Sequence, residues 1–361
     1  MNVTVVGGGV IGYAVAYELA SRGARVRVVD MRGPGAGATQ ASAGMLAPYI
    51  EGHHPALLEL TLGSLSLYDA FIVRVQASAQ RRVEYGRTGT LHAASSDRCE
   101  GHLKTLAAQL TDAGVEHAML DGRAARAAEP GLASGVRSAL VIPEHGDVKV
   151  ADLMAALVAA AAGAGVESAI GRVEAIEPAR GGVLVRTAAT GFKSDAVVIA
   201  SGSWSGELPS PAAPVKPIRG QLLQMQFPAP PISRVVWGEG CYMVPWRDGS
   251  VLVGATSEDV GFDESSTAAG VAQLEAAACA LLPYVAQAVR SAVRVGLRPA
   301  TTDELPLIGR SSTMPGVFYA TGHYRNGVLL APLTAMLLAD LVMEGREAPL
   351  LELVRPDRLG V

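Results

Sequence analysis

Cysteine is scarce in this sequence. Its 361 residues include three cysteines, Cys99, Cys241 and Cys279, which lie far apart and form no CxxC pair. This spacing argues against a disulfide framework and against a metal site built from thiolates, because both need cysteines that are grouped. The adjacent His53 and His54 would diverge, and no Asp or Glu completes a ligand pattern with them. We therefore predict no metal site and expect a protein of the reducing cytoplasm.

Long runs of one charge are also missing. The formal net charge is −4 at pH 7, with 30 Lys and Arg residues against 34 Asp and Glu residues. A protein that binds nucleic acid needs a basic surface to face the phosphates. The sequence has no basic excess, so we expect no nucleic acid partner.

The sequence has no apolar run that predicts a membrane span. The longest one near the end, Val328 to Met343, contains Pro332 and Asp340 and falls short of the roughly 20 residues that cross a bilayer. The apolar segment Val3 to Val6 meets glycines almost at once and has no Lys or Arg before it, unlike a secretory signal. We expect neither a membrane span nor a signal peptide.

A glycine motif follows the first apolar segment. Val3 to Val6 predicts a buried strand, and Gly7, Gly9 and Gly12 then satisfy GxGxxG at the start of a helix. These glycines permit the turn, the approach of a pyrophosphate and close helix packing, in that order. Asp30 ends the next strand, where a carboxylate can accept hydrogen bonds from an adenosine ribose. The motif predicts a dinucleotide site without choosing between FAD and NAD, whereas Asp30 disfavours NADP.

The middle of the chain has a different pattern. Alternating apolar and polar residues at Leu222 to Gln226, Cys241 to Val244 and Val251 to Gly254 predict antiparallel strands. A helical pattern returns from Val328 to Met343, with Pro332 tolerated in its first turn. These patterns predict an α/β fold in which an antiparallel part is inserted into a discontinuous nucleotide-binding domain.

Two segments stand out: Gly37 to Pro48, which is rich in small and hydroxyl-bearing residues, and Gly322 to Pro332. The first would let the backbone lie flat against a planar ring. Further motifs run Cys241 to Pro245, Val253 to Thr256, Gly296 to Ala300 and Pro306 to Gly309. With these motifs in this order, essentially the whole chain resembles the D-amino-acid oxidase superfamily, and within it the glycine oxidases of thiamine biosynthesis.

The resemblance implies FAD as the cofactor and a two-domain architecture. A discontinuous Rossmann-like FAD-binding domain would comprise residues 1–84, 146–214 and 296–361. An inserted, mainly antiparallel β-sheet substrate domain would comprise residues 85–145 and 215–295. Sarcosine oxidases of the superfamily often hold flavin through a cysteine that follows the equivalent of Arg298. Here Pro299 to Gly309 contains no cysteine, so we expect FAD to be bound non-covalently.

For the substrate, the resemblance implies a site built from Tyr242, Arg298, Arg325, Gly44, Met45 and Glu51. The tyrosine and the two arginines would bind the substrate carboxylate, since a guanidinium can donate two parallel hydrogen bonds to it. Gly44 and Met45 would lie beside the substrate, and Glu51 would orient its amine. Without the resemblance, Arg298 would be interpreted as a surface ion-pair partner and Tyr242 as a core residue.

For the cofactor, the motif and the resemblance together predict contacts along much of the chain. The predicted contacts are Gly7, Gly9, Val10, Ile11, Gly12, Asp30, Met31, Arg32, Thr39, Ala41, Ser42, Ala43, Gly44, Met45, Val173, Ala200, Ser201, Gly202, Trp204, Arg298, His323, Tyr324, Arg325, Asn326, Gly327 and Val328. Of these, we expect Trp204 to pack near FAD and His323 to form a structural hydrogen bond.

The resulting functional prediction is oxidation of glycine or a similar small amino acid, with O2 reduced to H2O2. The flavin accepts the hydride, so no protein nucleophile is needed. Two alternatives stay open: a dehydrogenase of the same fold that passes electrons to a quinone or another acceptor, and a protein that keeps FAD without turnover. The resemblance is also consistent with a homotetramer.

Overall fold

Helices and strands alternate along most of the chain. The computed structural model describes residues 1–51, 54–209 and 211–361, with the backbone alone of Glu51. Over these residues the α-helices are α1 Val10–Ser21, α2 Pro48–Glu51, α3 Pro55–Ala79, α4 Asp97–Asp112, α5 Gly122–Ala128, α6 Val150–Gly163, α7 Ala268–Leu281 and α8 Gly327–Glu344. The strands are β1 Asn2–Val6, β2 Arg25–Asp30, β3 Met45–Leu46, β4 Tyr85–Gly86, β5 Thr90–Ala94, β6 Ala118–Asp121, β7 Ser138–Ile142, β8 Gly146–Val148, β9 Glu167–Ile170, β10 Val173–Ala179, β11 Gly182–Thr187, β12 Gly191–Ser194, β13 Ala196–Ile199, β14 Lys216–Gln226, β15 Val235–Gly238, β16 Cys241–Pro245, β17 Ser250–Gly254, β18 Val289–Ala300, β19 Leu307–Arg310 and β20 Val317–Thr321. Short 3-10 helices cover Ala38–Ala41, Gly202–Glu207, Pro283–Gln287, Pro349–Leu353 and Pro356–Leu359.

A six-stranded sheet organises the first part of the fold, in the order β19-β20-β13-β1-β2-β9. All neighbouring pairs are parallel except β19 with β20. Strand β1 is central and buries its last four residues, as a strand covered on both faces should. The carboxyl ends of β1, β13 and β20 therefore meet at one edge, where sheets of this kind bind ligands.

The turn after β1 requires glycine at two positions. Gly7 has a φ of 114° and donates its N–H to the Val29 carbonyl at 2.8 Å. A Cβ on Gly12 would lie 1.9 Å from the carbonyl oxygen of Gly7. Helix α1 can therefore begin directly over β1 only because both residues lack side chains.

An eight-stranded sheet faces this edge, in the order β18-β14-β17-β16-β15-β5-β7-β6. Its pairs are antiparallel except β15 with β5. The longest pair joins β14 to β18 from Lys216↔Ala300 to Gln226↔Val289. Helix α7 covers one face of the sheet with buried Leu274, Ala278 and Leu281. Two small antiparallel sheets, β10-β11-β12 and β3-β8-β4, complete the α/β architecture.

Helices α1, α3, α6 and α8 share one apolar core with the six-stranded sheet. Helices α3 and α8 are long and apolar enough to cross a membrane by length and composition alone. In the most apolar 18-residue stretch of each helix, 72% of α8 and 44% of α3 is buried inside the protein. Core helices meet the same two criteria, so the expectation that the chain has no membrane span stays a prediction.

Pro332 lies deeper in α8 than expected, as the sixth residue rather than in the first turn. A proline nitrogen cannot donate to the carbonyl four residues earlier, here that of Val328. The Tyr68 hydroxyl donates to this carbonyl instead, at 2.8 Å. The Ser64 hydroxyl donates to the next carbonyl, that of Leu329, at 2.6 Å. Two side chains of α3 thus donate hydrogen bonds to the α8 carbonyls around Pro332.

The alternation of strands and helices and the antiparallel insertion agree with the α/β fold predicted from the sequence. The elements that were not predicted include helix α7 and most of strand β18. The expected division between residues 295 and 296 falls inside β18, which runs unbroken from Val289 to Ala300. The assignment of segments to two domains stays a prediction.

We predict that Tyr68→Phe lowers the free energy of unfolding by about 1–3 kcal/mol, because it leaves the buried Val328 carbonyl without a donor. Urea unfolding followed by circular dichroism measures the change. Tyr284→Phe is the matched control, since Tyr284 is 55% exposed. An equal change in the free energy of unfolding for Tyr68→Phe and Tyr284→Phe would show that the Tyr68 hydroxyl does not stabilise α8.

Candidate active site

A cavity of about 460 Å³ lies at the carboxyl ends of β1, β13 and β20 and is bounded on the other side by β15, β16 and β18. Of the predicted site residues whose side chains the structure describes, all line this cavity except Gly12 and Asn326. The fold therefore brings together segments that are far apart in the chain. Within the residues described, no three His, Cys, Asp or Glu side chains are grouped as metal ligands.

The first residues of α1 form one end of the cavity, together with Gly7 and Gly9. The Val10 N–H donates to Thr39 Oγ1 at 3.1 Å, which ties the segment after β2 to the helix start. A Cβ on Gly9 would lie only 3.3 Å from the same hydroxyl. The exposed backbone and the positive end of the helix dipole suit a phosphate group.

Asp30 lies beside this anion site, at the end of β2. Its carboxylate accepts hydrogen bonds from the N–H groups of Gly8 at 2.7 Å, Arg32 at 2.7 Å and Gly33 at 2.9 Å. These three donors fix the carboxylate against the cavity wall. A ribose hydroxyl approaching from the cavity would meet an acceptor whose position the backbone sets.

An aromatic and charged cluster closes the same end of the cavity. The Arg32 guanidinium lies 4.3 Å from the Trp204 ring centroid and pairs with Glu264 at 2.7 Å. The Trp204 ring packs against Phe262 at 5.7 Å between centroids. Arg32 and Trp204 line the cavity, whereas Phe262 and Glu264 come from the loop after β17 and were not predicted.

Arg298 lies at the opposite end of the cavity, near the end of β18. Its Nη1 donates to the Thr256 carbonyl at 3.0 Å. A Cβ on Gly220 would lie 2.4 Å from the guanidinium carbon, so only glycine leaves room for this side chain. Among the described residues, the guanidinium is therefore held by backbone carbonyls and not by an ion pair, and its charge is directed at the cavity.

Tyr242 reaches the same end of the cavity from β16. Its hydroxyl lies over Gly254, where a Cβ would be 2.4 Å away. The ring packs against Trp237 of β15 at 5.0 Å between centroids. Trp237 lines the cavity and was not predicted; its Nε1 is buried and has no hydrogen-bond partner in the part of the chain that the structure describes.

Arg325 approaches from the loop that leads into α8. Its guanidinium lies 5.1 Å from the Tyr324 ring centroid, and Tyr324 has a φ of 48°. The first residues of the helix, Gly327 and Val328, also line the cavity. The positive end of a second helix dipole is thus directed at this part of the site.

The segment carrying Gly44 and Met45 forms a side wall. Gly44 has a φ of 78°, and a Cβ there would lie 1.9 Å from the Val148 carbonyl oxygen. Met45 pairs with Asp147 across β3 and β8. Only glycine can make this turn, and it places the Met45 side chain at the cavity.

The predicted residues that do not line the cavity have other positions. Gly12 packs α1 against the turn at Gly7. Asn326 precedes α8, is buried and accepts the Leu330 N–H at its carbonyl at 2.8 Å. Glu51 ends α2, and its side chain lies outside the described residues.

His323 lines the cavity and is 3% exposed. Its Nε2 forms a hydrogen bond with the Thr334 hydroxyl at 3.0 Å, as expected for a structural histidine. Burial lowers the pKa of His323 to about 3, so the ring is neutral near pH 7. A neutral ring adds no further positive charge beside Arg298 and Arg325.

Comparison with known proteins matches residues 2–341 to the family described as FAD dependent oxidoreductase. The chain belongs to this family.

Two relatives illustrate its position in the family. The bifunctional protein ThiO/ThiG of Nostoc sp. is 38% identical over 358 residues, which cover 97% of this chain and 54% of the relative. The chain thus spans about half the length of this relative. A glycine oxidase of Geobacillus kaustophilus is 36% identical, with 94% of this chain and 92% of the relative covered. The crystal structure of the glycine oxidase from the same species superposes with a TM-score of 0.92 over 96% of this chain and 95% of that one.

The residues that line the cavity fit FAD. Two helix N-termini, those of α1 and α8, open onto it. FAD carries a pyrophosphate and a ring that gains negative charge on reduction, and both are stabilised by such termini. A side chain at Gly7 or Gly44 would collide with the protein itself, so the two turns that bring these residues to the cavity require glycine. Asp30 lines the same cavity, and a carboxylate at the end of the second strand is the type of group that accepts hydrogen bonds from an adenosine ribose.

We predict that Asp30→Ala weakens FAD retention about tenfold. The change removes the carboxylate that could accept from the ribose, and it leaves three backbone N–H groups without their acceptor. FAD release can be followed by the rise in flavin fluorescence after dilution. Asp112→Ala, an exposed change at the end of α4, should release FAD at the native rate. Identical release from both variants would contradict a ribose role for Asp30.

Proposed function

We propose that this chain oxidises glycine, or a similar small primary or secondary amino acid, to the imino or 2-oxo acid and reduces O2 to H2O2. Glycine oxidases named among its relatives support the reaction class. The observation that carries the proposal is Arg298, a guanidinium directed into a cavity that fits FAD and held there by carbonyls at 3.0 and 3.5 Å.

The substrate carboxylate would bind to Arg298, with Tyr242 and Arg325 as further donors. A guanidinium binds a carboxylate through two parallel hydrogen bonds, which fix the plane of the carboxylate as well as its position. The carbon next to the carboxylate is then held for transfer, at a reacting distance of about 3 to 3.5 Å. Bound FAD supplies the hydride acceptor.

The cavity walls near Arg298 favour a small substrate. Met45, Tyr242 and Trp237 line it with bulky side chains, and the ring centroids of Tyr242 and Trp237 are 5.0 Å apart. Glu51 is proposed to orient the substrate amine. A neutral amine would be the reactive form, since its lone pair assists the departure of hydride.

Non-covalent binding of FAD belongs to the same proposal. The one cysteine among the described residues that lines the cavity is Cys241, which packs in the core beside α7. Burial raises the pKa of its thiol to about 12, so it is not a thiolate near pH 7. We further propose a cytoplasmic location and a homotetramer; all three cysteines are free, which suits a reducing compartment.

We predict that glycine bleaches the yellow protein without oxygen, and that admitting air restores the colour and releases peroxide. Stopped-flow absorbance and a peroxidase-coupled assay measure the two steps. Bleaching with slow recolouring in air, and fast recolouring with a quinone, would instead identify a dehydrogenase. No bleaching by any small amino acid would contradict the proposal.

We predict that Arg298→Ala lowers kcat/KM for glycine by roughly 30-fold to several thousand-fold, since losing one partner of a buried charge pair costs about 2 to 5 kcal/mol. Steady-state peroxide formation measures the loss. Arg247→Ala is the matched control, because its side chain is 88% exposed in the turn after β16. Unchanged kcat/KM in Arg298→Ala would exclude Arg298 from the site.

A further inference from the structure

A partly buried polar cluster lies against Arg298, and one of its members, Thr256, also lines the cavity. It consists of Arg219 and Gln221 of β14 and of Thr256, Glu258 and Thr267 from the chain after β17, and we call it the Glu258 cluster. Arg219 is 4% exposed, Gln221 is fully buried and Thr256 is 6% exposed. The proposed function uses none of these side chains, and burying so many polar groups is costly unless each is paired.

Glu258 is the centre of the cluster. Its Oε2 accepts from Arg219 Nη2 at 2.6 Å. Its Oε1 accepts from Gln221 Nε2 at 2.7 Å and from the Thr256 hydroxyl at 2.6 Å. Burial alone would raise the pKa of Glu258, but the hydrogen bonds from Arg219, Thr256 and Gln221 outweigh it and lower the pKa to about 2. Glu258 is therefore a carboxylate throughout the neutral range.

The backbone connects the same residues. Arg219 and Glu258 exchange both main-chain hydrogen bonds, at 2.8 and 3.0 Å. The Gln221 N–H donates to the Thr256 hydroxyl at 3.0 Å. Glu258 thus holds β14 and the segment after β17 through its side chain and its main chain together.

Arg298 is anchored on these residues. Its Nη1 donates to the Thr256 carbonyl at 3.0 Å and lies 3.5 Å from the Arg219 carbonyl. Both acceptors belong to residues whose side chains are bonded to Glu258. A rotation of either peptide would move the acceptor and with it the guanidinium.

We propose that Glu258 is a positioning residue that sets the orientation of Arg298 for a carboxylate in the cavity. The inference rests on the proposed function, since it assigns Arg298 to the substrate carboxylate. Glu258 acts through Thr256 and Arg219 and does not itself touch the substrate. Small displacements of a binding group have large effects, because a misplacement of about 1 Å can cost a factor of roughly 100 in rate.

The chain offers a matched control for a purely structural role. Asp263 also pairs with Arg219, at 2.5 Å from Nη1. Asp263 also accepts a hydrogen bond from the Ser265 N–H at 2.8 Å, and among the described residues it forms none with Thr256. Asp263→Asn therefore removes a carboxylate from the same guanidinium without releasing the carbonyl that holds Arg298.

The test compares Glu258→Gln with Asp263→Asn in the FAD-loaded protein, using acetate as a carboxylate that cannot be oxidised. Acetate binding is read from the perturbation of the flavin absorbance, and KM and kcat are measured with glycine. We expect Glu258→Gln to raise the acetate Kd and the glycine KM about tenfold, with FAD content unchanged, as for a loss of uniform binding. Asp263→Asn should leave both constants within about twofold of the native values.

A second pair of variants covers the case in which Glu258→Gln does not fold. Thr256→Val keeps the side-chain shape and removes the hydroxyl bonded to Glu258, and should raise the acetate Kd about threefold, the loss of roughly one hydrogen bond. Thr256→Ser keeps the hydroxyl and should restore the affinity. Equal acetate binding in the Val and Ser variants would overturn the proposal.

Further outcomes decide between a positioning role and a purely structural role for Glu258. Native acetate affinity in Glu258→Gln, or equal weakening by Asp263→Asn, would reduce the cluster to a structural role and overturn the proposal. If the native protein binds acetate but glycine does not bleach it, the proposed function fails while the acetate series still tests Glu258. A native protein that glycine bleaches but that binds no acetate would overturn the proposal for Glu258 alone, because Arg298 would then bind no carboxylate.

Discussion

Strand β18 couples the two ends of the cavity. Gly296 lies against the short 3-10 helix Ala38–Ala41, which we call the cofactor segment because most of its residues line the cavity. An added Cβ on Gly296 would be 2.7 Å from the Cβ of Ala41. Two residues further along the same face of the strand, Arg298 enters the cavity. Gln40 Nε2 donates to the Val295 carbonyl at 2.7 Å, and the Ser203 hydroxyl donates to the Leu297 carbonyl at 2.8 Å. The separation between the cofactor segment and Arg298 is therefore set by backbone, which cannot change rotamer.

The partner strand β14 gives β18 its second support. The pairing places Ile218 opposite Arg298 and Gly220 opposite Gly296. Glycine at 220 makes room for the guanidinium, and glycine at 296 makes room for the cofactor segment. The two glycines therefore have separate functions although they face each other. The Glu258 cluster then fixes the same part of β14 to the segment after β17.

The sequence predicted the parts of the site that depend on local chemistry. The GxGxxG turn, Asp30 and the start of α8 each follow from residues within one short segment. Trp237 could not be predicted in this way, because it reaches the cavity only through its register with Tyr242 and through the parallel pairing of β15 with β5. The first half of β18 is largely exposed, so it lacks the alternation that identifies a strand. Helix α7 carries alanine on all its faces, so its sequence shows no apolar stripe from which the helix could be predicted.

The charge balance around Arg298 explains why its acceptors are carbonyls. In the described part of the chain, its hydrogen bonds go to main-chain oxygens and it forms no ion pair with a carboxylate. An acid bonded directly to the guanidinium would compete with the substrate carboxylate for the same donors. Glu258 instead forms its ion pair with Arg219. It acts on Arg298 only through the main-chain carbonyls of Arg219 and Thr256. A partly buried cation without a counter-ion is unfavourable, and an arriving carboxylate relieves that cost. Rigid placement and an unsatisfied charge together favour a small anion over a neutral ligand of the same shape.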